Sequence, residues 1–131
     1  MPPPKRTRLI LSVSALSAGF LLFVTYAVAG WTEEGVRIVV RWTAEIGLAL
    51  FVSAFSAGPL RSLRRTGWTQ QLLIQRRGLG LAFALFHTVH LLALGALAMA
   101  FPVPFVDGLN AITLVGGGIA YGFMFAMAAT S

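Results

Sequence analysis

The chain contains no cysteine. Disulfides, thiolate metal sites and cysteine nucleophiles are therefore excluded. It is also poor in charge. Asp, Glu, Lys and Arg make up 11% of its 131 residues, against about 25% in an ordinary soluble domain. Acidic residues are the scarcest class, four against ten Lys and Arg. So little polar surface cannot clothe a globule in water. What is present instead is apolar: 57% of the residues are hydrophobic, and they are gathered into four long runs, the pattern of a membrane protein. The length suits a single domain.

The net charge of +6 would suggest nucleic acid on a soluble protein. Here the cations cluster beside apolar runs, which suits a membrane surface and its anionic lipids, so no nucleic-acid partner is expected. Residues 1–8 form a short basic tail with Pro2, Pro3 and Pro4, expected to be disordered. The first run, 9–29, follows Lys5, Arg6 and Arg8 as a secretory signal would. It is longer than the 7–15 residues of a signal core, and Ala27-Val28-Ala29 is only a weak cleavage motif, so the run reads as a retained helix. Its 21 residues would reach about 31 Å as a helix, enough to cross a hydrocarbon core.

The remaining spans are placed at about 43–60, 78–101 and 109–129, giving a transmembrane domain over 9–131. Between the first two lies a polar stretch, 30–42, with Trp31 and Trp42 as interface anchors. Gly58-Pro59 is expected to stop the second helix. A basic loop over 61–77 carries Arg61, Arg64, Arg65, Arg76 and Arg77, and a short loop over 102–108 carries Asp107. The tail and the 61–77 loop hold eight of the ten Lys and Arg residues. The positive-inside rule places both in the cytoplasm. The expected fold is all-α: an integral membrane bundle of four transmembrane helices, N-terminus and C-terminus cytoplasmic, in a bacterial inner (plasma) membrane.

Both histidines of the chain, His87 and His90, fall in the third run at i and i+3, on one helical face. On these boundaries His90 is close to the middle of the run. Ionisable groups at such depth are costly and mark functional candidates. No carboxylate is expected at the same level, which weighs against a proton relay. Two readings stand. A neutral imidazole can be an axial ligand to haem iron in a bundle core, its other nitrogen donating to a backbone or hydroxyl group such as Thr88. Equally, the histidines can simply hydrogen-bond a neighbouring helix. The pair lies too close together to serve haems stacked across the membrane.

Other candidates are weaker. Glu45 reads as reaching the outer interface, paired with Arg41 one turn earlier, or as a proton or substrate contact. Arg76 and Arg77, at the start of the histidine helix, read as orientation signals and headgroup contacts, or as a grip on haem propionates or a cytoplasmic cofactor. Gly116, Gly117, Gly118 and Gly122 suit close helix packing. Met99, Met124 and Met127 are haem ligands in principle and space-fillers by habit.

The stretch Arg76-Arg77-Gly78-Leu79-Gly80-Leu81-Ala82-Phe83, followed by His90-Leu91, resembles the ferric reductase-like transmembrane family, which includes the haem-binding membrane subunit of the bacterial methionine sulfoxide reductase system. That family has an Arg-Arg, a Leu-Gly-Leu and a haem-ligating histidine about nine residues on; Leu81 to His90 is nine. Thr43, an apolar helix and Gly58-Pro59-Leu60-Arg61 are similar to its preceding helix, and Ala129-Thr130-Ser131 to the Thr-Ser that closes the next. The likeness covers roughly 40–131. Ala44 and Glu45 stand where the family often has Gly and Arg, and His87 is outside the pattern. The family continues past Thr-Ser with helices that supply the opposing histidines, so the sequence reads as truncated.

The resemblance implies haem b held by His90, with iron as its metal, and an oxidoreductase role in electron transport. Electrons would enter from a flavin, a quinone or a reductase domain and leave to ferric iron or a periplasmic redox partner. The rival expectations are a non-catalytic membrane anchor and, third, a small proton-coupled transporter using His87, His90 and Glu45.

Overall fold

The structure, a computed structural model, describes residues 5–129, except for the side chains at 104, 123 and 125–129. Pro2, Pro3, Pro4, Thr130, Ser131 and the Met127 side chain lie outside the described residues. The chain is all-α: α1 (Lys5–Ala29), α2 (Glu33–Leu63), α3 (Gly67–Ala100), α4 (Pro102–Asp107) and α5 (Ala111–Ala129). The first three are long and apolar enough to cross a membrane.

The burial pattern is that of a protein made for lipid. On α1 the inward positions are Thr7, Ser14, Ala18 and Thr25, one stripe at helical spacing. Leu9, Val13, Leu16, Phe20, Phe23 and Tyr26 face outward. In water this arrangement would be inside out. Between membrane helices it is sound, since lipid tails are as apolar as leucine and small or hydroxylated residues let helices approach. Gly35, Gly47, Ala54 and Ala57 line the inner face of α2, and Gly78 and Ala82 that of α3. A Cβ at Gly78 would stand 2.7 Å from Cδ1 of Ile10, so this glycine seats α1 against α3.

The helices run past the boundaries expected at 43, 60 and 78, where charge had suggested loops. The polar stretch 30–42 is a turn of three residues followed by ten residues of α2. Gly30 ends α1 with φ +63, a left-handed conformation that glycine adopts without strain. Thr32 caps α2, its side chain accepting the Gly35 N–H at 3.1 Å and donating to the Ala29 carbonyl at 2.9 Å. Glu33 and Glu34 in the first turn suit the positive end of the helix dipole. The charges of this stretch face outward while Val36 and Val39 are buried, so a run that looks polar in sequence is an amphipathic helical start.

At the other end Gly58-Pro59 does not stop α2. Pro59 lies within the helix, exposed, and α2 continues to Leu63. The expected 61–77 loop shrinks to Arg64, Arg65 and Thr66. Thr66 and Thr69 form a capping box at the start of α3, and Thr69 Oγ1 donates to the Arg64 carbonyl at 2.7 Å. The Arg61 guanidinium closes the turn by donating to the Thr66 carbonyl at 3.1 Å and to Gln70 Oε1 at 3.3 Å. Arg76 and Arg77 therefore lie within α3 rather than at its start. The 102–108 loop is mostly the short helix α4, opened by Pro102, whose missing N–H costs nothing there. Asn110 then caps α5 by accepting the Thr113 N–H at 2.7 Å. The tightest pairing is antiparallel α2 on α3, with α1 against both.

Candidate functional site

The pairing of α2 with α3 brings the small side of α2 to the histidine face of α3. His90 Nδ1 lies 2.9 Å from the Val40 carbonyl and 3.2 Å from Thr43 Oγ1. A carbonyl can only accept, so Nδ1 carries the hydrogen. Thr43 is fully buried, and its hydroxyl donates to the Val39 carbonyl at 2.7 Å, which leaves its oxygen free to accept a share of the same N–H. The second nitrogen of His90, Nε2, then holds the lone pair. This is the arrangement in which a backbone carbonyl fixes the tautomer and leaves Nε2 for a metal. The expected partner Thr88 is not used: its hydroxyl donates to the Ala84 carbonyl of its own helix at 2.8 Å.

His87 sits one turn along. Its ring lies 5.0 Å from Phe83, 5.7 Å from His90 and 4.6 Å from Tyr121 of α5, centroid to centroid. Gly47 of α2 is its floor: a Cβ there would meet His87 Nδ1 at 3.8 Å and Phe83 at 3.9 Å. Among the described residues both ring nitrogens of His87 are buried without a hydrogen-bond partner, and so is the Tyr121 hydroxyl. Three such atoms in one cluster are unusual, because each leaves about 1–3 kcal/mol of lost hydration uncompensated. Phe51 extends the aromatic row, 5.4 Å from Phe83.

Depth differs from the expected midpoint. Within the full length of α3, His90 stands ten residues before Ala100, about 15 Å from that end. It faces Val40 and Thr43, level with Arg41 and Trp42 of α2, so it lies towards the end of the bundle opposite the α2–α3 turn. The same register puts Glu45 close to the height of His87, against the expectation that no carboxylate shares it. Glu45 nonetheless turns away: it is exposed and accepts from Arg41 Nε at 3.0 Å, the pairing anticipated for it. Arg76 and Arg77 are exposed and are not brought to the histidines. Thirteen residues separate Arg77 from His90, about 20 Å along the helix.

Whether an iron cofactor suits these residues can be asked of the donor set. An axial ligand needs a ring held in place with its lone pair free, and His90 meets both conditions. The two imidazoles cannot clamp one iron from opposite sides, since they project from one helix and stack at 26°. The chain thus fits a single imidazole ligand. Two cavities, about 290 Å³ beside α4 and about 210 Å³ between α1 and α2, are lined without histidine. Among the described residues no group of three or more His, Cys, Asp or Glu converges as a metal site.

Sequence reasoning found both histidines and missed what holds them. Val40 acts through its backbone, which carries no sequence signal. Thr43, Gly47 and Tyr121 had one, as polar or minimal residues on otherwise apolar helices. No family model matches this chain, and no curated protein or solved structure is similar to it.

Proposed function

We propose that this chain is the haem b-binding part of a membrane electron-transfer protein of the ferric reductase-like kind. The observation that carries the reading is the His90 Nδ1–H donated to the Val40 carbonyl, which presents Nε2 as a ligand in an apolar bundle. The arginine and Leu-Gly-Leu motif ahead of His90 supports it independently. In this reading α5 is a fourth span, and both ends of the chain lie on the basic, cytoplasmic face. Bound haem would supply one-electron transfer across the bilayer. The protein's part is to orient the His90 ring through Val40, to keep water away with Phe83 and Phe86, and to hold α2 and α3 together around it. Arg76 and Arg77 belong to the cytoplasmic side of this scheme, where a flavin, quinone or reductase domain would deliver electrons.

A second reading has its own support. The bond from His90 to Val40 ties α3 to α2, which is all that a structural anchor subunit would need. The two readings part on one experiment. The chain is expressed with haem supplied, purified in detergent, and its absorption recorded oxidised and dithionite-reduced. The redox reading expects a Soret band and a sharp reduced alpha band, both lost in His90→Ala and retained in Thr88→Ala. A folded preparation without these bands refutes it and leaves the anchor.

A further inference from the structure

The fold gathers one sign of charge at one end more tightly than the sequence suggests. Lys5, Arg6 and Arg8 begin α1, Arg61 ends α2, Arg64 and Arg65 form the turn, and Arg76 and Arg77 stand on α3. The four acidic side chains, Glu33, Glu34, Glu45 and Asp107, are all elsewhere. The ion pairs among the described residues, Arg37 with Glu33 and Arg41 with Glu45, are at the opposite end of α2. Where the basic-end arginines have partners, these are neutral: Arg6 donates to Gln71 Oε1 at 3.0 Å, and Arg61 to Thr66 and Gln70. Among the described residues no carboxylate pairs with them.

This end has two tiers. Arg64 and Arg65 are at the tip of the α2–α3 turn. Arg76 and Arg77 lie nine and ten residues into α3, about 15 Å further along the axis. Contacts from α1 bracket them, with Arg6 on Gln71 below and Ile10 on Gly78 above. Arg77 shares its face of α3 with Ile74 three residues before it and Leu81 four residues after it, 57% and 40% exposed. A guanidinium set between outward apolar side chains lies on a lipid-facing wall. It meets phosphates at the hydrocarbon boundary more readily than the surface of a soluble protein.

We propose that Arg76 and Arg77 hold the phosphate of an anionic phospholipid against the wall of the bundle, as a site distinct from the general positive charge of the turn. The test uses the whole chain, delipidated in mild detergent, with phosphatidylglycerol or phosphatidylcholine added and the lipid adducts counted by native mass spectrometry. Phosphatidylglycerol is expected to be retained and phosphatidylcholine not. Each cation near an anionic surface contributes about fivefold, so R76Q/R77Q is expected to weaken retention by more than tenfold, and R76K/R77K to restore most of it. The tip variant R64Q/R65Q, with the same change in charge, is expected to bind within about twofold of the parent. Equal losses in the wall and tip variants would overturn the proposal in favour of bulk charge. Displacement of the lipid by millimolar inorganic phosphate would overturn it in favour of a free-anion site. Far-UV circular dichroism confirms that each variant is helical before it is scored.

Discussion

One substitution made at two glycines of α2 should act in opposite directions. At Gly35 an added Cβ would lie 2.7 Å from the Gly30 carbonyl oxygen, 3.3 Å from Ala29 Cβ and 3.4 Å from Thr32 Oγ1. The nearest atom is backbone and belongs to a turn already committed to a left-handed residue and a threonine cap. It cannot yield as the end of a side chain can. Gly35→Ala is therefore expected to cost about 1–3 kcal/mol, the range for overpacking a closed site. At Gly47 the same methyl would meet His87 Nδ1 at 3.8 Å and Phe83 at 3.9 Å, ordinary contact distances. There the helix gains what glycine costs it, about 0.5–1 kcal/mol, and Gly47→Ala should be more stable than the parent. The assay is equilibrium unfolding in mixed micelles of increasing dodecyl sulfate fraction, followed by ellipticity, with the two variants shifted in opposite senses and about 1.5–4 kcal/mol apart. A neutral Gly35→Ala would refute the account of the turn. A destabilised Gly47→Ala would mean that His87 and Phe83 press closer to α2 than described.

Two further outcomes follow from the same geometry. Thr66→Ala removes the capping box of α3 and should cost about 1 kcal/mol, read by the same titration, with faster hydrogen exchange at the amides of Thr69 and Gln70. Tyr121→Phe removes a buried hydroxyl that has no partner among the described residues, so it should be neutral or stabilising by up to about 1 kcal/mol; a clear loss of stability would reveal that the hydroxyl is engaged.

The sequence was most informative where hydropathy decides structure. The long runs that became α1, α2 and α3 are plain in composition, and so is the clustering of eight cations. Boundaries were missed wherever charge was taken as a sign of loop. Glu33, Arg37 and Arg41 sit on a helical face opposite Val36 and Val39, so a helix continues through them. Gln70 to Arg77 likewise belongs to α3, with Thr69 and Gly78 inward and the arginines outward. Gly58-Pro59 misled because a proline on an exposed face forfeits only one hydrogen bond and its neighbours hold the helix. At the site, i and i+3 spacing put His87 and His90 on one face, as their rings confirm. The depth of His90 followed from where α3 begins, expected at 78 and found at Gly67. Val40 was illegible by nature, since any residue offers the same carbonyl.

The length of α3 has a mechanical result. Thirty-four residues make a rod of about 51 Å, whereas the oily interior of a bilayer is about 30 Å thick. Tilt absorbs only part of that excess. Whatever part of the remainder falls at the α2–α3 turn is braced by α2 and clasped at its tip by Thr66, Thr69 and Arg61, so a partner approaching from that side meets a preformed, stiff shape.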